Sequence, residues 1–458
     1  MGKYFGTDGF RAEAGASLTS QHAYQIGRFL GWYFAREEKN KRVRAVVGKD
    51  TRRSSYMLEY AIAAGLSASG ADVYMLHVTT TPCVSYVAHR DDFDIGIMIS
   101  ASHNPYYDNG IKLVNRYGEK IDDDTIRDIE TYLDGDFAAL GLCRDIPHAR
   151  GEKIGKIIDY TSGRNRYITY LISLCHHSLR DFSVGLDCAN GSAWMIAKSV
   201  FDALGARVYA IHCAPDGLNI NENAGSTHIE ALAEFVREKH LDIGFAFDGD
   251  ADRCLAVDEH GAVVNGDHIL YILAENMRAR GELNGNTVVT TVMSNLGLYQ
   301  ALACAGFSYV QTAVGDRYVY ENMKENGFSL GGEQSGHIIL SGYATTGDGI
   351  LTAIKLMEAV ISSGYPLSKL AAPVRMLPQL MKNVRVENKR AAREHPAVVR
   401  AVQSVGERLD GIGRILLRES GTEPLLRVMV EAPTEEMCAQ CVDEVISVME
   451  GEGLISNV

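Results

Sequence analysis

Short apolar runs rich in β-branched residues alternate with amphipathic, helix-periodic stretches up to about residue 370. The run RVRAVVGKD (42–50) reads as a buried strand, followed by a helix from about Ser54 to Ser69 that Gly70 stops. A strand near 94–100 then runs into the loop SASHNP. The cycle restarts with strand 182–188, helix 192–204, strand 206–213, helix 228–239 and strand 243–247. A third cycle follows, with helix 268–280, strand 287–293, helix 296–305 and an apolar helix 349–363. Three α/β units in series predict three similar domains with mixed sheets, as divergent repeats without a strict period. The last ninety or so residues predict a smaller α+β unit: strand 382–387, helix 396–409, strands 413–418 and 424–431, and helix 434–449. Pro373 and Pro378 mark a connector. The expected domains are 1–157, 158–257, 258–370 and 371–458, arranged around a central cleft.

A chain of 458 residues is too long for one hydrophobic core. Its 46% apolar and 22% charged residues are those of a globular protein. Lys and Arg number 45 against 58 Asp and Glu, a formal charge of −13, and no basic stripe is present. That excludes nucleic acid as the expected partner, so an anionic small molecule must be met by locally gathered Arg and Lys. No run of eighteen apolar residues offers a membrane span, and MGKYFGTDGF lacks a secretory core, so the cytoplasm is expected. Thr7 falls one place too late for a myristoylation signal. The nine cysteines are scattered through mostly apolar segments and read as reduced, buried small hydrophobes, the lone CxxC of Cys438 and Cys441 included.

Candidate chemistry begins with Asp248-Gly249-Asp250-Ala251-Asp252-Arg253, directly after the apolar run IGFAF. In an extended chain the three carboxylates project to one side and repel unless a divalent cation sits between them. An all-carboxylate set favours a hard ion, and three anionic ligands with room for a phosphate oxygen suit Mg²⁺. The competing readings are a solvated acidic turn and an EF-hand loop. Glu259 falls at the twelfth position of such a loop, but Arg253 stands where it needs Gly, and the flanks read as strands.

In Ser100-Ala101-Ser102-His103-Asn104-Pro105, a serine at a strand end is held in a Pro-terminated polar loop, with His103 and Lys112 near enough in sequence to assist it as a nucleophile. An ordinary Asn-Pro turn is the alternative. In Gly332-Glu333-Gln334-Ser335-Gly336-His337, a carboxylate, an amide and a hydroxyl on a tight turn can read sugar hydroxyls; a plain β-turn is equally open. In Arg418-Glu419-Ser420-Gly421-Thr422, with Arg427 beyond, hydroxyls, backbone N–H groups and two guanidinium groups can cradle a phosphate. Gly6-Thr7-Asp8-Gly9-Phe10-Arg11 would bring Arg11 beside an anion. No G-x-S-x-G elbow, Walker loop or kinase glycine loop is present, which argues against acyl transfer and direct nucleotide use. Phosphoryl transfer on a phosphosugar uses all five segments.

These segments, in this order along nearly the whole chain, closely resemble the α-D-phosphohexomutase superfamily, and SASHNPYYDNGIK, GEQSGH and VGDRYV (314–319) resemble its glucosamine-phosphate branch rather than the mannose or glucose branches. The resemblance implies an isomerase with three α/β domains and a smaller fourth that interconverts glucosamine 6-phosphate and glucosamine 1-phosphate and so feeds UDP-N-acetylglucosamine and cell-wall precursors. It implies a phosphorylated Ser102, and one Mg²⁺ held by Asp248, Asp250, Asp252 and a phosphoserine oxygen. Glucosamine 1,6-bisphosphate is the implied intermediate or activator. Arg11, His103, Lys112 and His337 would surround the transferring group, with Lys112 the favoured acid/base. Glu333, Ser335 and Arg253 would contact the sugar phosphate, and Arg418, Ser420, Gly421, Thr422 and Arg427 would grip the phosphate that is not reacting. Asp316 is either a reader of the 2-ammonium group or a helix N-cap. Mutase activity on mannose or glucose phosphates, and a non-catalytic phosphosugar sensor, are the rival readings. The expected partner is a small phosphosugar, with a homodimer left open and with neither nucleic acid nor membrane. The chain departs from the family at Ala251, where Gly is frequent, at Phe10, often Ile, and at Glu419, where an anion beside the phosphate loop should weaken binding somewhat. Ala251 is expected to point away from the metal in an extended loop.

Overall fold

A computed structural model describes residues 2–36, 42–419 and 425–456. It divides into two compact units, 1–293 with 307–372, and 294–306 with 373–458.

The first unit holds three mixed sheets. The first has six strands in the order Phe10–Glu13, Asp108–Asn115, Ile95–Ile99, Arg44–Lys49, Asp72–Val78, Ile157–Asp159. The second runs Val263–Val264, Cys254–Val257, Ile243–Phe247, Ser183–Asp187, Arg207–Ile211, and the third Ser308–Thr312, Thr287–Thr291, Leu330–Gly332, Ile338–Leu340. The central strands IGIMI, IGFAF, SVGLD and TVVTT are buried at every residue, because parallel strands covered by helices on both faces need continuous rather than alternating apolar residues. Ile157–Asp159 and Val263–Val264 extend the first and second sheets beyond the boundaries expected near 157 and 257. The helix expected from Ser54 spans Arg53–Ala68, with Gly70 at a φ of 92° just beyond it.

One arrangement recurs in all three sheets. Ile95–Ile99 lies parallel to Arg44–Lys49 and antiparallel to Asp108–Asn115. Ile243–Phe247 lies parallel to Ser183–Asp187 and antiparallel to Cys254–Val257. Leu330–Gly332 lies parallel to Thr287–Thr291 and antiparallel to Ile338–Leu340. In each sheet the chain leaves the carboxyl end of a parallel strand, turns, and returns antiparallel. The three turns are the serine loop, the aspartate loop and the GEQSGH loop. This is the structural content of the expected divergent repeats.

The second unit is the expected α+β layer. Strands Gln379–Arg385, Leu425–Glu431 and Arg414–Glu419 form an antiparallel sheet in that order. Helices Pro396–Leu409 and Glu435–Gly451 share its core, where Cys438 and Cys441 pack as apolar residues. All nine cysteines are free, and Cys83, Cys188 and Cys254 are also buried. Cys143 and Cys304 are exposed, however, so the expectation of burial fails there: both lie outside the regular apolar runs that form the sheets. No helix among the described residues is long and apolar enough to cross a membrane.

Candidate active site

The aspartate loop is a turn, not the extended segment expected from spacing. Ala251 N–H donates to Asp248 O at 3.0 Å, and Ala251 has a left-handed φ of 57°. The carboxylates therefore converge because the backbone folds back, and one ligand oxygen from each of Asp248, Asp250 and Asp252 lies within 4.8 Å of the others. Ala251 is fully buried inside that turn. A Cβ in a left-handed conformation is strained, which explains why glycine suits this place.

Ser102 joins the carboxylates from the first sheet. Its Oγ donates to Asp248 Oδ2 at 2.5 Å and lies 3.4 Å from His103 Nδ1. Ser102 is 1% exposed and also left-handed, with a φ of 53°. Lys112, on the strand returning from the serine loop, places Nζ 2.8 Å from Asp250 Oδ2, 3.2 Å from Asp252 Oδ2 and 3.2 Å from Asp8 Oδ2. Thr81 Oγ1 also donates to Asp250. Asp250 Oδ1 and Asp252 Oδ1 are buried without a hydrogen-bond partner among the described residues.

Burial opposes every charge here, and the neighbours decide each outcome. Burial, then Asp252 and Asp250, push the Asp248 carboxyl well above the usual carboxylate range. Burial also works against ionised Asp252, but Lys112 and His337 outweigh it and hold that carboxyl well below the range. The Lys112 ammonium loses solvation, yet Asp250, Asp252 and Asp8 raise it well above its ordinary value. Burial, Arg253 and Arg11 push His103 down to about 4, so it is neutral near pH 7. At His337 the neighbouring carboxylates overcome burial and pull upward, to about 9, but Nε2 accepts from Gly347 N–H at 3.0 Å. That hydrogen bond needs a lone pair on Nε2, so we assign the proton to Nδ1, 3.7 Å from Asp252 Oδ1.

Three buried carboxylates, two orphaned oxygens among them and a serine hydroxyl form an all-oxygen donor set that fits a hard divalent cation. The EF-hand alternative fails: the loop joins two antiparallel strands, not two helices. The solvated-turn alternative fails on burial.

Arg11 donates to Asp8 and, at 3.4 Å, to Ala101 O beside the serine. Arg253 faces Asp248, Asp252 and Glu333, while Glu333 Oε1 accepts from Gly315 N–H at 3.1 Å. Ser335 Oγ is buried and has no partner among the described residues. Asp316 opens the helix Asp316–Asn326 and Gly315 takes the N-cap position, so the N-cap alternative for Asp316 is off by one residue. Its carboxylate pairs with Lys120 Nζ at 2.8 Å and lies 3.5 Å from His337 Nε2. Arg418 and Arg427 are cross-strand partners in the second unit, where Arg393 pairs with Glu419 at 3.0 Å and takes up part of that carboxylate's charge. Ser420, Gly421 and Thr422 lie outside the described residues.

Sequence reasoning missed Asp8 and Lys120. Asp8 accepts from Arg11 and Lys120 and faces Lys112; burial works against its charge, but Lys112, Lys120 and Arg11 hold the carboxyl well below the usual range. Lys120 bridges Asp8 and Asp316 at 2.8 Å each. Asp8, Lys112, Lys120, Asp252, Asp316 and His337 are among the residues lining a cavity of about 920 Å³. Asp8 sits within GTDGFR, which was the available signal, whereas nothing near Lys120 distinguishes it from a surface lysine.

Four models of the phosphoglucomutase/phosphomannomutase family match in order: α/β/α domain I at 2–138, II at 165–261, III at 265–376 and the C-terminal domain at 381–448. The chain belongs to this family. Among phosphohexomutases of known name, a phosphoglucosamine mutase of Lachnospira eligens is 60% identical over 99% of both chains, and that of Bacillus subtilis is 46% identical over 99% of both. Among solved structures, a phosphoglucomutase/phosphomannomutase family protein of Burkholderia thailandensis shares the fold with a TM-score of 0.79 at 23% identity, covering 98% of this chain and 97% of its own. An N-acetylphosphoglucosamine mutase of Aspergillus fumigatus, solved with GlcNAc-6P and magnesium, shares it with a TM-score of 0.70 at 17% identity, covering 98% and 96%.

Replacing Ala251 by Gly should relieve the left-handed strain and stabilise the protein by up to about 1 kcal/mol in denaturant unfolding. Asp248→Asn should have two effects. A carboxyl raised on folding costs stability at every pH above its unfolded value, so removing it should raise the metal-free melting temperature near pH 7. The same change should abolish the rise in melting temperature that added Mg²⁺ gives the unsubstituted protein.

Proposed function

We propose that the chain interconverts glucosamine 6-phosphate and glucosamine 1-phosphate, carrying the phosphoryl group on Ser102 and passing through the 1,6-bisphosphate. The observation that carries this reading is the 2.5 Å hydrogen bond from Ser102 Oγ into the carboxylate triplet. A buried serine aimed at three carboxylates is costly without a cation and a phosphoryl group to bring there. Membership of the family and 60% identity to a phosphoglucosamine mutase support the substrate class.

Asp248, Asp250 and Asp252 would hold Mg²⁺, together with an oxygen on Ser102. When bound, the ion supplies charge stabilisation for the phosphoryl group as it transfers. In the forward direction the sugar 1-hydroxyl attacks phosphorus, the bond from phosphorus to Ser102 Oγ breaks, and the hydroxyl proton passes to a base that returns it to the departing Oγ. His103 suits that part, since burial keeps it neutral and its Nδ1 lies 3.4 Å from Oγ. Lys112, favoured by resemblance as acid/base, is held as an ammonium by its three carboxylates, which suits charge compensation and hydrogen-bond donation rather than proton transfer. Arg11 would offset charge on the phosphoryl oxygens, and His337 would hold Asp252 in place. The bisphosphate then reverses end for end, Oγ gives up its proton and takes the 6-phosphoryl group as the bond from phosphorus to O6 breaks, O6 takes that proton, and glucosamine 1-phosphate leaves. Glu333, Ser335 and Arg253 would read the sugar, while Arg418 and Arg427, with Ser420, Gly421 and Thr422, would hold the second phosphate.

Asp316 remains our candidate reader of the 2-ammonium group, sharing its carboxylate between the substrate and Lys120. The cavity that both residues line supports this reading.

Ser102→Ala should abolish conversion of glucosamine 6-phosphate. It should also remove from the intact mass the one phosphoryl group expected on the active protein; near-normal turnover would refute the proposal. Asp316→Asn should lower kcat/KM for glucosamine 6-phosphate about tenfold more than for glucose 6-phosphate, about what one charged hydrogen bond contributes. An unchanged preference would remove Asp316 from that role.

A further inference from the structure

We propose that Arg52 and Asn221 are positioning residues that grip the backbone of the serine loop from two separate loops, one after the strand Arg44–Lys49 and one after Arg207–Ile211, and so aim Ser102 Oγ at Asp248. The inference rests on the function proposed above.

A serine at a φ of 53° keeps that conformation only if its surroundings impose it. Arg52 follows the strand Arg44–Lys49 and is fully buried. Its Nη2 donates to Ser102 O at 2.9 Å and to Asn104 O at 2.8 Å; its Nη1 donates to Pro105 O and, at 3.2 Å, to Asp108 O. Four carbonyls of one loop thus converge on one guanidinium. Its Nε pairs with Asp50 Oδ2 at 2.8 Å, the same oxygen that accepts from Ser100 Oγ at 2.7 Å. Ser100 Oγ in turn accepts from Ser102 N–H at 2.9 Å. Both peptide groups flanking Ser102 are therefore tied to one buried ion pair.

The second grip comes from the loop that follows the strand Arg207–Ile211. Asn221 Nδ2 donates to the same two carbonyls, Ser102 O at 2.9 Å and Asn104 O at 3.0 Å. A Cβ on Gly249 would stand 2.5 Å from Ser102 O and 3.0 Å from Asn221 Nδ2, so the serine and aspartate loops meet backbone to backbone there. A guanidinium offers five donors in a rigid planar fork, whereas an ammonium is a point. Lysine at 52 would keep the charge against Asp50 and lose the fork.

The test measures kcat and KM for glucosamine 6-phosphate in phosphorylated protein. Arg52→Lys should lower kcat about a hundredfold while KM stays within about threefold, because a displacement of about 1 Å at the reacting atom costs about that much in rate. Guanidinium ion at tens of millimolar should restore Arg52→Ala about tenfold, and ammonium at equal ionic strength should not; a merely structural role would not distinguish the two ions. Asn221→Ser, which removes the second pair of donors, should lower kcat about tenfold, and it carries the test if Arg52→Ala fails to fold. Unchanged kcat in Arg52→Lys or Asn221→Ser, or equal response to both ions, would overturn the inference. Inactive unsubstituted protein would instead overturn the proposed function.

Discussion

Three buried carboxylates held within 4.8 Å of one another are the constraint around which the rest is arranged. Like charges at that distance in a dry site repel strongly, and no gain in packing offsets it. The protein answers with cations drawn from separated parts of the chain, Lys112, Arg11 and Arg253, and with the Nδ1–H of neutral His337 facing Asp252. Asp8 extends the network outward to Lys120 and Asp316. A chain of net charge −13 thereby presents an anionic substrate with locally concentrated cations.

The carboxylates meet their partners because one supersecondary device is used three times. A parallel strand ends, the chain turns, and an antiparallel strand returns. Ligand sites of α/β sheets form at the carboxyl ends of strands, where loops are free to carry polar groups that the sheet itself cannot. Here that rule brings the serine, the aspartates and the glutamate of three successive layers to corresponding places. The backbone records the cost. Ser102 and Ala251 both sit in left-handed conformations, and Gly249 admits no side chain.

The central strands were legible because strands buried on both faces must be continuously apolar, and the motif loops were legible because their residue types have few other uses. The short strands Leu330–Gly332 and Ile338–Leu340 were not, since three residues carry no periodicity. The aspartates group as their spacing suggests, but not along an extended chain: the loop is a turn closed by Ala251 N–H. Arg52, Asn221 and Lys120 went unread because each is an ordinary polar residue whose meaning lies in which distant carbonyl or carboxylate it meets.

The sequence by itself determined the composition of the site: a serine, a carboxylate triplet and scattered cations, each placed beside a strand that had to be buried. Only the tertiary structure decided which charges neutralise which, because desolvation and distance set those balances and neither is a property of local sequence. Lys112 shows the difference. From its segment it is a lysine near a serine, and in the fold it is an ammonium enclosed by three carboxylates, each more than a hundred residues away.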